Sequence, residues 1–342
     1  MRPLALIATA SLFVSPAHGQ STPAPPIHAT SRLVGVPTLV QSPSGELVTT
    51  LTAADFTLTD NRVRQALSLD HLEREPLAVM VLLQIGGAAV RQLPNYAGLG
   101  AMLDGIVGAS AHRVALVTFD SRPEEAWDFT NHLEDLNDGF THPGPGDDGA
   151  AILDAVSLGI DSLRTQPAAA RRVLILVSQG QDIGSKTRLD EIVRRLGESD
   201  VTIFSVTFSP EKTWLKDQFT KPRHGNKPYK LSPNSQPLIG TFNLGTPIGV
   251  ALSAMRSNTA AEAANLSGGE HLEFGSRSDL ESRLNTLANN LHNRYALSFS
   301  PDSAQPGFHT LHVTVPAQPD LKVAARTGYW MEPPPAEPSP TR

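Results

Sequence analysis

Hydrophobic positions change rhythm three times along the chain. Between residues 27 and 72 they come in short runs, at 33–40, 47–48, 56–58 and 66–69, with a turn at 42–45 and Pro, Gly, Asp and Asn between them. Short runs punctuated in this way predict small antiparallel strands. From Pro76 the runs lengthen. Residues 77–83, 114–119, 172–177 and 201–208 are largely unbroken aliphatic and β-branched stretches, which predicts strands buried on both faces. Helical spacing separates them at 93–107, 150–163 and 189–196, and the segment 251–266 follows the fourth run. The alternation predicts an α/β fold with a doubly wound, mostly parallel sheet and helices on both faces. One more helix is marked by Ser278 and Glu281, spaced as a capping box, and by Leu280, Leu284, Leu287 and Leu291 on one face. It leads into a last strand-rich stretch at 295–299, 309–315 and 321–325.

Neither strand-rich flank is long enough to bury a sandwich by itself, so 27–74 and 294–331 are expected to pair into one small split β-sandwich around the α/β domain of 76–293. The ends carry different signals. Met1, Arg2 and Pro3 precede an apolar run over 4–14 and small residues at Ala17 and Gly19, the pattern of an export signal over 1–19. Export implies a periplasmic or secreted protein. No later stretch reaches membrane-spanning length. The Pro-rich residues 332–342 read as an extended, disordered tail. No internal repeat is evident.

Composition narrows the chemistry. The 342 residues are 40% hydrophobic, enough for about two domains. None is cysteine, which excludes disulfide frameworks, thiolate zinc sites, iron–sulfur clusters and thiol nucleophiles. A formal net charge of −6 does not suit nucleic acid. The charge is uneven, however. Between Asp120 and Asp154 lie eight further acids against Arg122 alone, whereas 209–249 carries Lys212, Lys216, Lys221, Arg223, Lys227 and Lys230 against Glu211 and Asp217. That basic stretch is long for a connection and is expected as an insertion reaching the rim of the sheet, against or beside the acidic loops.

In a doubly wound sheet, ligands bind where loops leave the carboxyl ends of the strands. Those loops begin at Gln84, Asp120, Ser178 and Ser209. The strand before Gln84, the segment Gly146-Asp147-Asp148-Gly149-Ala150-Ala151-Ile152-Leu153-Asp154-Ala155, and Leu174-Ile175-Leu176-Val177-Ser178-Gln179-Gly180 occur in the order of a von Willebrand factor A domain, which the chain resembles. The flanking Leu51-Thr52-Ala53-Ala54-Asp55-Phe56-Thr57-Leu58 and Arg326-Thr327-Gly328-Tyr329 resemble an exported, acidobacterial-type family of such domains. The resemblance implies a metal-ion-dependent adhesion site built on Asp-x-Ser-x-Ser, a threonine and an aspartate. At the matching positions stand Gln84, Gly86, Ala88, Ala150 and Gln179. A hard divalent cation wants oxygen ligands and at least one carboxylate, so the site is expected to be degenerate and to bind no metal. No cofactor is implied.

The function expected is a non-enzymatic protein-binding or adhesion module. Its partner is a protein or a surface polysaccharide, with Trp214, Lys216, Phe219, Arg223, Tyr229 and Phe242 of the insertion as contact residues. Two other readings stay open. Asp147 and Asp148 offer carboxylates to a divalent metal, although solvated loop charge explains them as well. Ser178 follows a buried strand as a hydrolase nucleophile does, with His224 or His271 downstream, but Leu176 stands where the nucleophile elbow has glycine. Asp154, inside a helical pattern, reads as structural. The Gly86-Gly87 pair lacks a third glycine and a Lys-Ser/Thr, and reads as a tight strand-to-helix turn rather than a phosphate loop. The eleven histidines show no zinc-site spacing.

Overall fold

A computed structural model of the chain describes residues 33–70, 75–209, 247–301 and 305–333. The expected export signal, most of the insertion and most of the tail lie outside these residues.

The eight residues of β5 (Leu77–Gln84) are all buried, as a continuous aliphatic run requires. The strand lies inside a six-stranded sheet between β6 (His112–Phe119) and β8 (Arg171–Gln179), parallel to both. β9 (Val201–Phe208) and β10 (His271–Phe274) extend the sheet in parallel beyond β8. β7 (Pro123–Thr130) closes the other edge, antiparallel to β6. The order is β10-β9-β8-β5-β6-β7.

Alternate residues of each strand face opposite layers. Val79, Val81 and Leu83 join α2 (Leu99–Val107) and α8 (Arg277–His292) in one core, where Leu280, Leu284, Leu287 and Leu291 all pack as expected. Ala78, Met80 and Leu82 join a second core with α4 (Ile152–Arg164), α5 (Leu189–Glu198), α6 (Pro247–Ser257) and α7 (Thr259–Ser267). Each fully buried aliphatic side chain contributes about 1.5–3 kcal/mol.

The sequence pattern blurred several boundaries. The helix expected over 93–107 is broken at Gly98, whose φ of +103° is left-handed, leaving the short α1 (Leu93–Tyr96) before α2. Residues 251–266 form two helices, because the Asn258 side chain accepts from the Ala261 amide and starts a new one. α6 begins at Pro247, so the last residues of the expected insertion 209–249 are helical. The cap of α8 is Ser276, whose hydroxyl accepts from the Asp279 amide, while Glu281 pairs instead with Arg277 at 3.0 Å. The capping box expected at Ser278 is thereby corrected. β7 and β10 were not anticipated: β7 is an edge strand rich in exposed acids, and β10 has only four residues. Short α3 (Asn137–Thr141) lies beyond β7.

The two flanks interleave into a sandwich. β1 (Val34–Gln41) from the first pairs with β11 (Tyr295–Phe299) and β13 (Lys322–Ala325) from the second, and β4 (Leu67–Asp70) pairs with β11. Opposite lies the sheet β14-β12-β2-β3, with β2 (Thr57–Asp60), β3 (Val63–Gln65), β12 (Gly307–Thr314) and β14 (Gly328–Met331). Val36, Leu58, Leu297, Phe299 and Tyr329 are among the residues of the shared core.

Both flanking motifs have structural work. Thr52 and Asp55 form a reciprocal cap, and Tyr295 ties down the loop before them by donating to the Val48 carbonyl and accepting from the Leu51 amide. Arg326 is buried, and its guanidinium donates to the Leu196 and Gly197 carbonyls at the end of α5, joining sandwich to α/β body. Gly197 admits this approach, since a Cβ there would lie 2.6 Å from the Trp330 nitrogen. Among the described residues no helix is long and apolar enough to cross a membrane.

Candidate functional site

The strand order reverses direction at β5, whose neighbours are β6 on one side and β8 on the other. The carboxyl ends of β5 and β8 therefore flank the switch point where this class of fold builds its sites. Gln84 and Gln179 end those two strands, and both are buried. The Gln84 side-chain oxygen accepts from the Gln179 backbone N–H at 2.9 Å, and its Nε2 donates to the Gly86 carbonyl at 2.9 Å and to Gln179 Oε1 at 3.4 Å. Gln179 Nε2 donates to the Gln181 carbonyl at 2.8 Å. Two amides, each donor and acceptor, satisfy one another and the loops around them without charge.

The neighbouring loops fill the remaining space. A Cβ on Gly86 would meet the Asp147 carbonyl at 2.6 Å and the Asp120 Cβ still closer. A serine cannot be accommodated there unless the loops move. Gly87, with φ of +55°, donates its amide to the Asp147 carbonyl, and Gly146 donates to the Ile85 carbonyl. Ala88 lies in the short turn Gly87–Arg91 and carries no side-chain oxygen. Ala150 is buried and exchanges backbone hydrogen bonds with Ile183, at 3.1 and 2.9 Å.

The acids of the rim hold the loops. Asp147 accepts from the hydroxyl and amide of Ser121 and from the Gly149 amide at 2.8 Å. The Ser121 hydroxyl and then these amides hold its carboxyl below the usual range. Asp120, nearly fully buried, accepts from the amides of Asp147 and Arg122. Asp148 is exposed. Partial burial would raise the Asp154 carboxyl, but the amides of Lys186 and Thr187 outweigh it and lower it. Asp154 is thus structural, bracing a loop rather than pairing with an Arg. Asp182 accepts from the Leu153 amide at the start of α4, and burial raises its carboxyl despite help from Ser185. The roles of Asp120 and Asp182 were not read from the sequence, since a lone aspartate past a strand carries no signature until the loops it bridges are adjacent.

The donor set does not suit a hard divalent cation. Gln84 spends its amide oxygen on a backbone N–H, positions 86, 88 and 150 offer no side-chain oxygen, and both Asp147 oxygens are occupied by donors. Among the described residues no group of three or more His, Cys, Asp or Glu is placed to hold a metal. In the alternative pair, the Asp147 oxygens are taken by Ser121 and Gly149, whereas Asp148 is exposed.

Ser178 is fully buried and donates to the Gln179 carbonyl at 2.7 Å, so its hydroxyl is not presented as a nucleophile. His271 lies on β10, two strands away, and bonds Ser205 at 2.9 Å. His224 falls outside the described residues, as do Trp214, Lys216, Phe219, Arg223, Tyr229 and Phe242. β9, the described strand that precedes them in the chain, ends at Phe208 in register with Gln179.

A doubly wound α/β domain with its loops gathered at one switch point defines the class of protein. The sequence profile of the von Willebrand factor type A domain matches residues 98–226. The matched residues lie within the α/β body, which is inserted between the halves of a β-sandwich. No curated protein matches the sequence. Among solved structures it is similar to an aerotolerance-related membrane protein from Bacteroides fragilis, at 14% identity over 62% of this chain and 98% of that one, with a TM-score of 0.41. It is likewise similar to the BatB protein from Bacteroides thetaiotaomicron, at 13% identity over 62% and 97%, with a TM-score of 0.40. The PilB minor pilin from Streptococcus sanguinis gives 9% identity over 66% and 63%, with a TM-score of 0.43.

Proposed function

We propose that the protein is an exported, non-enzymatic binding or adhesion module that engages a protein partner through the rim of its von Willebrand A domain without a metal bridge. The observation that carries this reading is the Gln84–Gln179 amide pair at the switch point, where the family's adhesion site needs carboxylate. A metal-bridged module recruits its partner through an open coordination position. Here the rim offers a fixed, hydrogen-bonded floor, and the contact energy comes from side chains around it. Trp214, Lys216, Phe219, Arg223, Tyr229 and Phe242 supply the aromatic and cationic types that anchor interfaces.

Affinity capture from envelope extract tests the reading. The full chain should retain its partner in excess chelator and lose it when residues 210–246 are deleted. Calorimetry with Mg²⁺, Mn²⁺ and Ca²⁺ should show no stoichiometric heat; a one-to-one isotherm overturns the metal-free reading. A fluorophosphonate probe should leave Ser178 unlabelled. Export is checked by N-terminal sequencing of the mature protein, which should begin after Gly19.

A further inference from the structure

His309 sits in the sandwich with an oxygen at each ring nitrogen. Its Nε2 lies 2.7 Å from the Gln305 carbonyl, and its Nδ1 lies 2.8 Å from Asp60 Oδ1. A carbonyl can only accept, so Nε2 carries a hydrogen. A neutral imidazole would then turn the bare lone pair of Nδ1 toward a carboxylate at hydrogen-bond distance, which is repulsive. The neighbours do not relieve this. Tyr329 spends its hydroxyl hydrogen on Asp60 Oδ2 at 2.8 Å. The Tyr329 oxygen and Asn61 Nδ2 approach Nδ1 at 3.1 and 3.3 Å, and a hydrogen bond from either would still leave the shorter contact to Asp60 without a hydrogen. A proton therefore stands between Asp60 and His309, whichever of the two carries it.

Both side chains are buried, one on β2 and one on β12, so the shared proton joins the first flank to the second. The surroundings supply no substitute charge. Tyr329 of β14 packs against the imidazole, and Phe299 of the opposite sheet packs against Tyr329. Arg62 and Arg64 of the β2–β3 hairpin, His312 of β12 and Arg256 of α6 are exposed, and Lys322 of β13 donates to the Pro43 carbonyl. Among the described residues neither Asp60 nor His309 has another ion-pair partner.

We infer that this retained proton makes the sandwich a pH-sensitive latch, which releases the proton to water when the strands part and so loosens as pH rises above neutrality. Opening converts the protonated pair into a free carboxylate, a neutral imidazole and one proton in solution. An unfolded histidine gives up its proton near pH 6.5, to about half a unit. Between the ordinary aspartate and histidine ranges both states hold the proton, and pH has little leverage. Above the histidine range only the closed state holds it, and each pH unit favours opening about tenfold until the closed pair itself deprotonates.

Hydrogen-exchange protection factors of the β2 and β12 amides test the latch at pH 7 and pH 8 in the full-length protein, with β5 and β8 as reference. In the wild type, protection of β2 and β12 relative to the reference should fall about tenfold between the two. Asp60→Asn offers an amide N–H to Nδ1 and keeps an oxygen for Tyr329, so it closes the same contacts without the extra proton, and its ratio should not change. His309→Gln, which cannot titrate, should give the same flat ratio where Asp60→Asn fails to fold. The inference is overturned if the wild-type ratio changes less than about twofold, or if the change persists in the variant that folds.

Discussion

The α/β body and the sandwich solve the same burial problem with chain segments at very different separations. In the body, β5 meets β6 after one intervening helical segment, and β8 meets β9 across α5 alone. In the sandwich, Val34 pairs with Phe299 and Thr57 with Thr314, so neither sheet is complete until the whole body has been threaded between its halves. Closing such long loops costs entropy before any contact is gained. The body should therefore form first, and the sandwich should open locally at lower free energy.

The largest expected effect breaks the body. Leu82 is fully buried at the centre of the sheet, and Leu82→Ala should cost about 4 kcal/mol, within the usual range for a core leucine. A single denaturation transition, in which sandwich and body are lost together, would confirm that the sandwich depends on the body.

Next comes the sandwich's own lock. Tyr329 donates to Asp60 at 2.8 Å, and His309 Nδ1 lies 2.8 Å from the same carboxylate, with all three side chains buried. One partner comes from the first flank and two from the second. Asp60→Ala removes the acceptor that both share, leaving Tyr329 and His309 with each other at 3.1 Å across the gap, and should cost about 3 kcal/mol. Hydrogen exchange should show faster opening of β2 and β12 and unchanged protection in β5 and β8. Equal loss in both regions would erase the distinction drawn above.

Arg326 joins the regions, and Arg326→Leu removes the donors to the Leu196 and Gly197 carbonyls at a cost of about 2 kcal/mol. The expected signature is a second transition in calorimetry as the sandwich uncouples. At the rim, Gln84→Leu removes the acceptor of the Gln179 amide and should cost about 1 kcal/mol, read as faster exchange at Gln179 without change in the sandwich.

The smallest effect is electrostatic and confined to the body. The Asp154 carboxyl lies below its ordinary value of 3.8, so its contribution is present above that pH and lost as pH falls through the folded value. Asp182 is displaced upward from 3.8, so its contribution weakens as pH rises through the interval up to its folded value. The two oppose each other across acidic pH. Carboxyl NMR titration should place Asp154 below 3.8 and Asp182 above it; the reverse order would show that the loop over 182–187 is braced differently.

Much of this architecture was legible from residue order. Residues 77–83 are uniformly apolar and 201–208 are rich in β-branched and apolar residues, the composition of strands buried inside a sheet, and the split sandwich followed from two flanks each too short to fold alone. β7 escaped because an edge strand needs only one buried face and carries Glu124, Glu125 and Asp128 in the open. The site was legible as a set of missing ligands: Gln84, Gly86, Ala88, Ala150 and Gln179 could each be named from their place in the chain. What replaced those ligands was not legible.

Side-chain chemistry and periodicity are local properties, so the sequence by itself determined most of the strands and helices, their order and the loss of carboxylate at positions 84 and 179. Only the tertiary structure decided that Gln84 meets Gln179, that Asp147 is consumed by Ser121 and Gly149, and that the Asp147 carbonyl stands where a side chain on Gly86 would go. Apart from the local Asp147–Gly149 bond, these contacts join segments 26 to 95 residues apart, brought within range by strands ending on one edge. Hydrogen-bond partners at that separation depend on where the sheet places the strand ends, and a strand's own residues do not encode its neighbour's register.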